Sequence, residues 1–279
     1  MPSTIVRLKY RAATYACWVA GMTTSRAVLR SGDTEARADH LAVEAPLVLA
    51  LGGQVLAVLM RTPGHDLELA AGWLRVESGV ETSDDLVTLR QCREEDTDRV
   101  HITLRPGVRP PRPRAFVTGS ACGVCSADLL DLALLASAAP HSPGWTVTAE
   151  TLLGLPETMR AQQRAFDRTG GLHAAALADS AGRLLVVRED VGRHNAVDKV
   201  VGDRLLRDVL PATDLLLVVS GRVSFEIVQK AVAAGAAGIV AVSAPTDLAV
   251  DLAREHGLLL AGMVRGGSLN VYAGDDLVS

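Results

Sequence analysis

Residues 215–265 read LLLVVSGRVSFEIVQKAVAAGAAGIVAVSAPTDLAVDLAREHGLLLAGMVR. Three short apolar runs, 215–219, 238–242 and 258–264, have the length and punctuation of buried strands, and the segments between them, 223–234 and 246–256, carry helical periodicity. Strands and helices in strict alternation call for a mixed, mostly parallel sheet with helices on both faces. In such a sheet ligands bind beyond the carboxyl ends of the strands.

Those ends carry matching chemistry. Ser220, Gly221 and Arg222 open one helix, Ser243, Ala244, Pro245 and Thr246 open the next, and Met263, Val264, Arg265, Gly266, Gly267 and Ser268 close the third strand. Helix N-termini offer unsatisfied N–H groups, glycine lets backbone approach an anion, and arginine supplies a planar charged fork. Any α/β fold places Gly and Ser in such turns, but three loops with two arginines point to a phosphorylated or nucleotide ligand.

Upstream, 172–178 and 184–188 read as strands around the Asp179–Gly182 turn, with a helix over 195–209. Before that helix lies a polar cluster running from Arg188 through Glu189, Asp190, Arg193, His194 and Asn195 to Asp198 and Lys199. Asp190 can act as a cap, His194 as a structural histidine, and Asp198 and Lys199 as solvated charges; the same residues on a loop can equally carry chemistry. Gly170 and Gly171, ahead of His173, read as a backbone requirement.

The N-terminal half has a different texture. Runs 43–51 and 54–60 are joined by Gly52 and Gly53 as a hairpin, Asp66 caps a helix over 67–78, and alternation at 87–89 and 100–104 reads as a second hairpin. Residues 105–114 carry four prolines and four arginines and read as an extended linker. The expected organisation is an unstructured extension over 1–37, a small β-rich domain over 38–112 and an α/β domain over 113–279.

Cys122 and Cys125, spaced CxxC in TGSACGVCS, stand ahead of a helix over 127–138 for which Ser126 is the N-cap. Glycine-rich approach and a helix N-terminus favour a thiolate, which is both nucleophile and metal ligand. A zinc knuckle needs two more ligands, yet Cys17 and Cys92 stand alone; a disulfide within CxxC closes too small a loop to stabilise much. Redox or sulfur chemistry remains, with no resident metal.

Composition bounds the partners. The chain has 279 residues, 48% hydrophobic but only 3% aromatic, so its core is aliphatic. A net charge of −4 argues against wrapping nucleic acid. No apolar stretch reaches the roughly 18 to 20 residues that span a bilayer. Arg7, Lys9 and Arg11 ahead of 12–22 imitate a signal peptide, but Thr14, Tyr15 and Trp18 break its core. A cytoplasmic protein with reduced thiols is expected, with Met22 as its true start.

The motifs MRTPG (60–64), CGVC (122–125), TGGLH (169–173), REDVGRHNAVDK (188–199), SGRVSFE (220–226) and RGG (265–267), in this order, resemble the formate dehydrogenase accessory sulfurtransferases, the FdhD/NarQ family, over about residues 41–273. The resemblance implies a cytoplasmic, homodimeric sulfur carrier whose Cys122 and Cys125 loop takes sulfur from a cysteine desulfurase as a persulfide. It further implies delivery to the Mo-bis-molybdopterin guanine dinucleotide cofactor, held by 263–268, before insertion into the formate dehydrogenase catalytic subunit. The large domain is then cytidine deaminase-like in fold, without the deaminase zinc motif. Two positions depart from the family pattern: Ser126 where Gly is common and Met263 where Phe is common. Two other classes stay open, a CxxC thiol oxidoreductase and a cofactor-binding chaperone that needs no cysteine.

Overall fold

The structure, a computed structural model, describes residues 19–32, 34–94, 97–112, 117–118 and 144–279. In chain order the elements are α1 (Val19–Met22), β1 (Thr23–Val28), β2 (Arg37–Ala42), β3 (Ala45–Leu51), β4 (Gln54–Arg61), α2 (Asp66–Glu77), β5 (Leu86–Glu94), β6 (Thr97–Leu104) and β7 (Val117–Thr118). They continue with α3 (Ala149–Arg160), α4 (Arg164–Thr169), β8 (His173–Ala178), β9 (Leu184–Asp190), α5 (Arg193–Leu206), β10 (Leu216–Val219), α6 (Phe225–Ala234), β11 (Gly238–Ala241), α7 (Asp247–Glu255), β12 (Leu259–Arg265) and β13 (Ser268–Ala273).

Two larger sheets form. Strands order β5-β6-β3-β4-β7 in one and β13-β12-β11-β10-β8-β9 in the other. In the second, β10, β11 and β12 are parallel, as crossover helices α6 and α7 require. The expectation of a mostly parallel sheet needs correcting, because the pairs β10–β8, β8–β9 and β12–β13 are all antiparallel. The β12–β13 connection is a two-residue turn, too short for the crossover that a parallel pair needs.

Helices do cover both faces. On one, Val197 and Val201 of α5, Ile227 and Val228 of α6 and Leu252 of α7 pack on Leu217 and Ile239. On the other, α3 presents Leu152, Leu155 and Met159 at three- and four-residue spacing to Ala176, Val218 and Val240. Each such buried aliphatic side chain stabilises by about 1.5 to 3 kcal/mol. Thr148 caps α3, its hydroxyl accepting from the Thr151 N–H.

The first sheet buries Leu47, Leu49, Leu56 and Ile102 against Leu69, Trp73 and Leu74 of α2, and Leu205 of α5 joins that same core. Helices α2 and α5 thus sit back to back between the two sheets. They come close because of two glycines: a Cβ on Gly72 would meet the Asp198 carbonyl, and one on Gly202 would meet that of Glu68. Part of the stretch expected to be unstructured is ordered, since β1 and β2 pair over six residues, Thr23 opposite Ala42 through Val28 opposite Arg37. Met22 anchors that ribbon, buried against Ala165 and Leu172. Past the linker, β7 lies on the first sheet, parallel to β4.

Candidate functional site

The motifs at 60–64 and 188–199 meet in the interior. Arg61 is fully buried, its Nε and Nη2 on the two Asp66 oxygens at 2.9 Å and its Nη2 also 2.6 Å from Asp98. Arg188 spans Glu68 and Asp203, with Nη2 2.9 Å from one and 3.0 Å from the other. Burial alone would push the Glu68 carboxyl up, but His65 and Arg188 overcome it and hold the group at about 2.

Lys199, read from sequence as a candidate solvated charge, is also fully buried. Its Nζ lies 2.7 Å from Asp190 and donates to the carbonyls of Thr62, at 2.9 Å, and Glu189, at 3.3 Å. Asp190 in turn accepts from the Thr62 and Gly192 N–H groups and from Asn195 Nδ2. Every proton and most lone pairs of the pair are used, which is the condition under which a buried ion pair is tolerable. Removing one partner strands the other: Lys199→Met should cost about 3 to 5 kcal/mol in urea unfolding. Adding Asp190→Asn to it should recover a large part of that loss, a coupling that a double-mutant cycle measures. Equal losses from both single variants that simply add would show the pair to be uncoupled.

This scaffold fixes an edge of the second sheet. Because β8 runs antiparallel to β10, its first residue, His173, lies level with the turn that follows Val219, and Asp190 at the end of β9 pairs with His173. Along the same edge come Ser220, Ser243 and the end of β12. Backbone hydrogen bonds stitch these loops together: Val223 N–H donates to the Ala244 carbonyl, Thr246 N–H to that of Val223, and Met263 N–H to that of Ser243.

The sequence-derived residues divide within this edge. Ser220 accepts the Ala174 N–H on its hydroxyl, Gly221 is packed by His173 and Arg193, and Arg222 is exposed. Thr246 is engaged as the cap of α7, accepting from the Ala249 N–H. Val264 is buried in the core, so its side chain cannot serve a ligand at this edge. Met263 has φ 54°, left-handed backbone that is uncommon for a bulky residue, and it sits in the bulge between Gly262 and Arg265. Gly266 and Gly267, at φ 59° and 75°, form the two-residue turn that joins Arg265 to Ser268. That turn type needs positive φ at both central positions, which accounts for the glycines without a ligand. Arg265, Gly266, Gly267 and Ser268 are all exposed. Cys122 and Cys125, with the helix expected over 127–138, lie outside the described residues.

Sequence reasoning left His173 beside its glycines and His194 undecided; the structure sets both at this edge. His173 Nδ1 is 3.4 Å from Ser220 Oγ, and His194 Nε2 is 2.9 Å from Glu226 and 3.3 Å from Ser224 Oγ. Burial lowers the pKa of His173, and Arg193, His194 and Arg222 lower it further against the pull of Asp190. The TGGLH motif was the available signal, but only the direction of β8 brings it to the loops.

Residues 42–279 match the model of the FdhD/NarQ family. A protein of Streptomyces coelicolor named sulfur carrier protein FdhD is 48% identical over 262 residues, which cover 90% of this chain and 93% of that one. A Nocardia farcinica protein of the same name is 48% identical over 245 residues, covering 85% and 88%. The fold is similar to the crystal structure of a Desulfotalea psychrophila protein described as a formate dehydrogenase accessory protein, with a TM-score of 0.71 at 23% identity, over 92% of this chain and 98% of that one.

Proposed function

Since this chain belongs to the FdhD/NarQ family, we propose that it is a cytoplasmic, homodimeric sulfur carrier: it accepts sulfur from a cysteine desulfurase as a persulfide on Cys122 and hands it to the Mo-bis-molybdopterin guanine dinucleotide cofactor of a formate dehydrogenase. The cofactor is the substrate here, and the sheet edge from Ser220 through Ser243 and Thr246 to 263–268 is its landing site. The six-stranded sheet between two helix layers supports reading this half as cytidine deaminase-like.

The observation that carries the reading is where the chain stands before the CxxC. Thr118 pairs with Leu59, and the next residue, Met60, accepts from Asn195 at the start of α5, two residues from Arg193. Cys122 follows Thr118 by four residues in the sequence. A thiol on that tether can serve the edge where His173, Arg193 and Arg222 gather.

Loading is thiol exchange: the Cys122 thiolate attacks the terminal sulfur of the desulfurase persulfide, the new S–S bond forms as the old one breaks, and the desulfurase thiolate leaves. The test is mass spectrometry of the whole chain after incubation with a desulfurase and cysteine. An adduct of about 32 Da on the peptide holding Cys122, reversed by dithiothreitol, is expected; its absence under conditions that load a known acceptor sinks the reading. The linker arginines 105–114 are read as a spacer, and neutralising all four should leave the salt dependence of transfer unchanged.

Arg265→Ala tests the cofactor half separately. A charge-assisted pair is worth roughly 1.5 to 3 kcal/mol, so calorimetric GDP binding should weaken by about ten- to a hundredfold while persulfide loading stays intact. Wild-type GDP affinity in that variant would move the nucleotide site away from the β12–β13 turn.

A further inference from the structure

Around the first residue of β8, positive charge is left without a counter-charge. Arg193, in the first turn of α5, has a buried Nε with no hydrogen-bond partner, and among the described residues no carboxylate lies within ion-pair distance of Arg193 or Arg222. Two carboxylates on the neighbouring elements are engaged: Asp190 holds Lys199, Asn195 and two backbone N–H groups, and Glu226 holds His194. A buried guanidinium donor that faces no acceptor is costly, and an anion arriving beside two arginines resolves it with a charge-assisted bond.

We propose that His173, Arg193, Ser220 and Arg222 form a second anion subsite, separate from the 263–268 turn, which takes a diphosphate diester and binds a proton together with it. The inference rests on reading this sheet edge as the cofactor's landing site. Strand order puts β10 and β11 between β8 and β12, so His173 and the β12–β13 turn are about three strand spacings, or about 14 Å, apart. One diphosphate cannot engage both; a ligand with two phosphate-bearing arms can.

The proton has a defined place to go. The hydroxyl of Ser220 accepts the Ala174 N–H at 2.9 Å and stands 3.4 Å from His173 Nδ1; in the tautomer of neutral His173 that carries its hydrogen on Nε2, the Ser220 hydroxyl donates to Nδ1. The groups facing this ring are Arg193 and His194 of α5, Arg222 after β10, and Asp190 at the end of β9. Burial disfavours an imidazolium most, and three of these groups also repel it, so in the empty site the ring stays neutral near pH 7. An anion between the arginines cancels that repulsion. His173 then takes a proton, both ring nitrogens donate, and the Ser220 hydroxyl is released to donate to the ligand.

The direction of the pH effect follows. The ring's pKa is below its ordinary value in the free protein and rises in the complex, so affinity is highest below the free value and falls as pH climbs through the bound value. The probe is diguanosine diphosphate, a diester whose phosphates do not titrate between about pH 5 and 8, the range in which histidine does. Calorimetry on the full chain in two buffers of different ionisation enthalpy counts protons without any variant. Wild type should take up part of one proton on binding, with affinity falling by as much as about tenfold per pH unit within the window. His173→Gln should bind with no proton uptake and a flat pH profile, Arg193→Gln and Arg222→Gln should each weaken binding about tenfold or more, and Arg265→Ala should keep the proton uptake.

Binding by wild type with no proton uptake, or unchanged affinity in both Arg193→Gln and Arg222→Gln, overturns the subsite and leaves the edge reading standing. No binding by wild type at any pH overturns both. The histidine nitrogen resonances of wild type give a second measure: a His173 signal whose titration midpoint does not move when the diester is added removes the proton linkage even if the variants fold poorly.

Discussion

Gly202→Ala is expected to yield no stably folded protein. The added methyl would lie 2.6 Å from the Glu68 carbonyl carbon and 2.8 Å from the Gly72 nitrogen, and backbone cannot move aside as a flexible side chain can. Relief requires α2 and α5 to separate. That separation pulls apart the Glu68–Arg188 pair, which joins α2 to β9, and exposes Leu205 from the first core. Losses of more than about 4 to 5 kcal/mol follow when packing and buried ion pairs fail together. Gly72→Ala should behave alike, since its Cβ would meet the Asp198 carbonyl carbon at 2.6 Å. Gly154→Ala is the control: it sits exposed within α3 with nothing within 4 Å of the added atom, and alanine should stabilise there by roughly 0.5 to 1 kcal/mol. Soluble yield and thermal midpoints read all three. A Gly202→Ala protein that melts with wild type would mean the two helices can shift without cost.

The strands and helices from β10 to β12 were legible because each apolar run ends on its own punctuation, Ser220–Gly221, Gly235 and Ser243–Pro245, and because the crossover segments carry a clear helical stripe. The direction of β8 was not legible. Its run His173–Ala178 has no polar face to show which neighbour it meets, and pairing with β10 joins residues some forty positions apart. That one direction decides whether His173 stands at the edge of the 220–222 and 243–246 loops or at the opposite one. Lys199 was hidden for a related reason: its partner carbonyl on Thr62 lies 137 positions away, and a charge pattern along one helix cannot reveal it. Gly72 and Gly202 each look like an ordinary cost to a helix until the two helices cross. Conversely, the three loops at 220–222, 243–246 and 263–268 could be set on one edge from alternation alone, although Val264 and Thr246 turn out to be spent on the core and on a cap.

Cys122→Ala should abolish sulfur transfer altogether, with neither a persulfide on the chain nor an active formate dehydrogenase in a reconstituted assay. The reason is chemical. A chaperone for the cofactor needs only the sheet edge and would lose nothing with the thiol, whereas a carrier without its acceptor thiolate has no bond in which to store sulfur. Cys125→Ala is expected to separate two steps. The sulfur in a persulfide is at the sulfane level and must gain two electrons to leave as sulfide. In the proposed route the Cys125 thiolate would supply them by attacking the Cys122 sulfur: the Cys122–Cys125 disulfide would form, the persulfide bond break, and sulfide depart to the cofactor. A cellular dithiol reductant then resets the pair. Cys125→Ala should therefore load normally and deliver slowly, with added dithiothreitol restoring release. Cys92, half-buried on β5 and some thirty positions before the CxxC pair, should be replaceable by serine with transfer intact. Full transfer by Cys122→Ala would return the chain to the chaperone class, and full transfer by Cys125→Ala without added thiol would assign the reducing electrons to the acceptor instead.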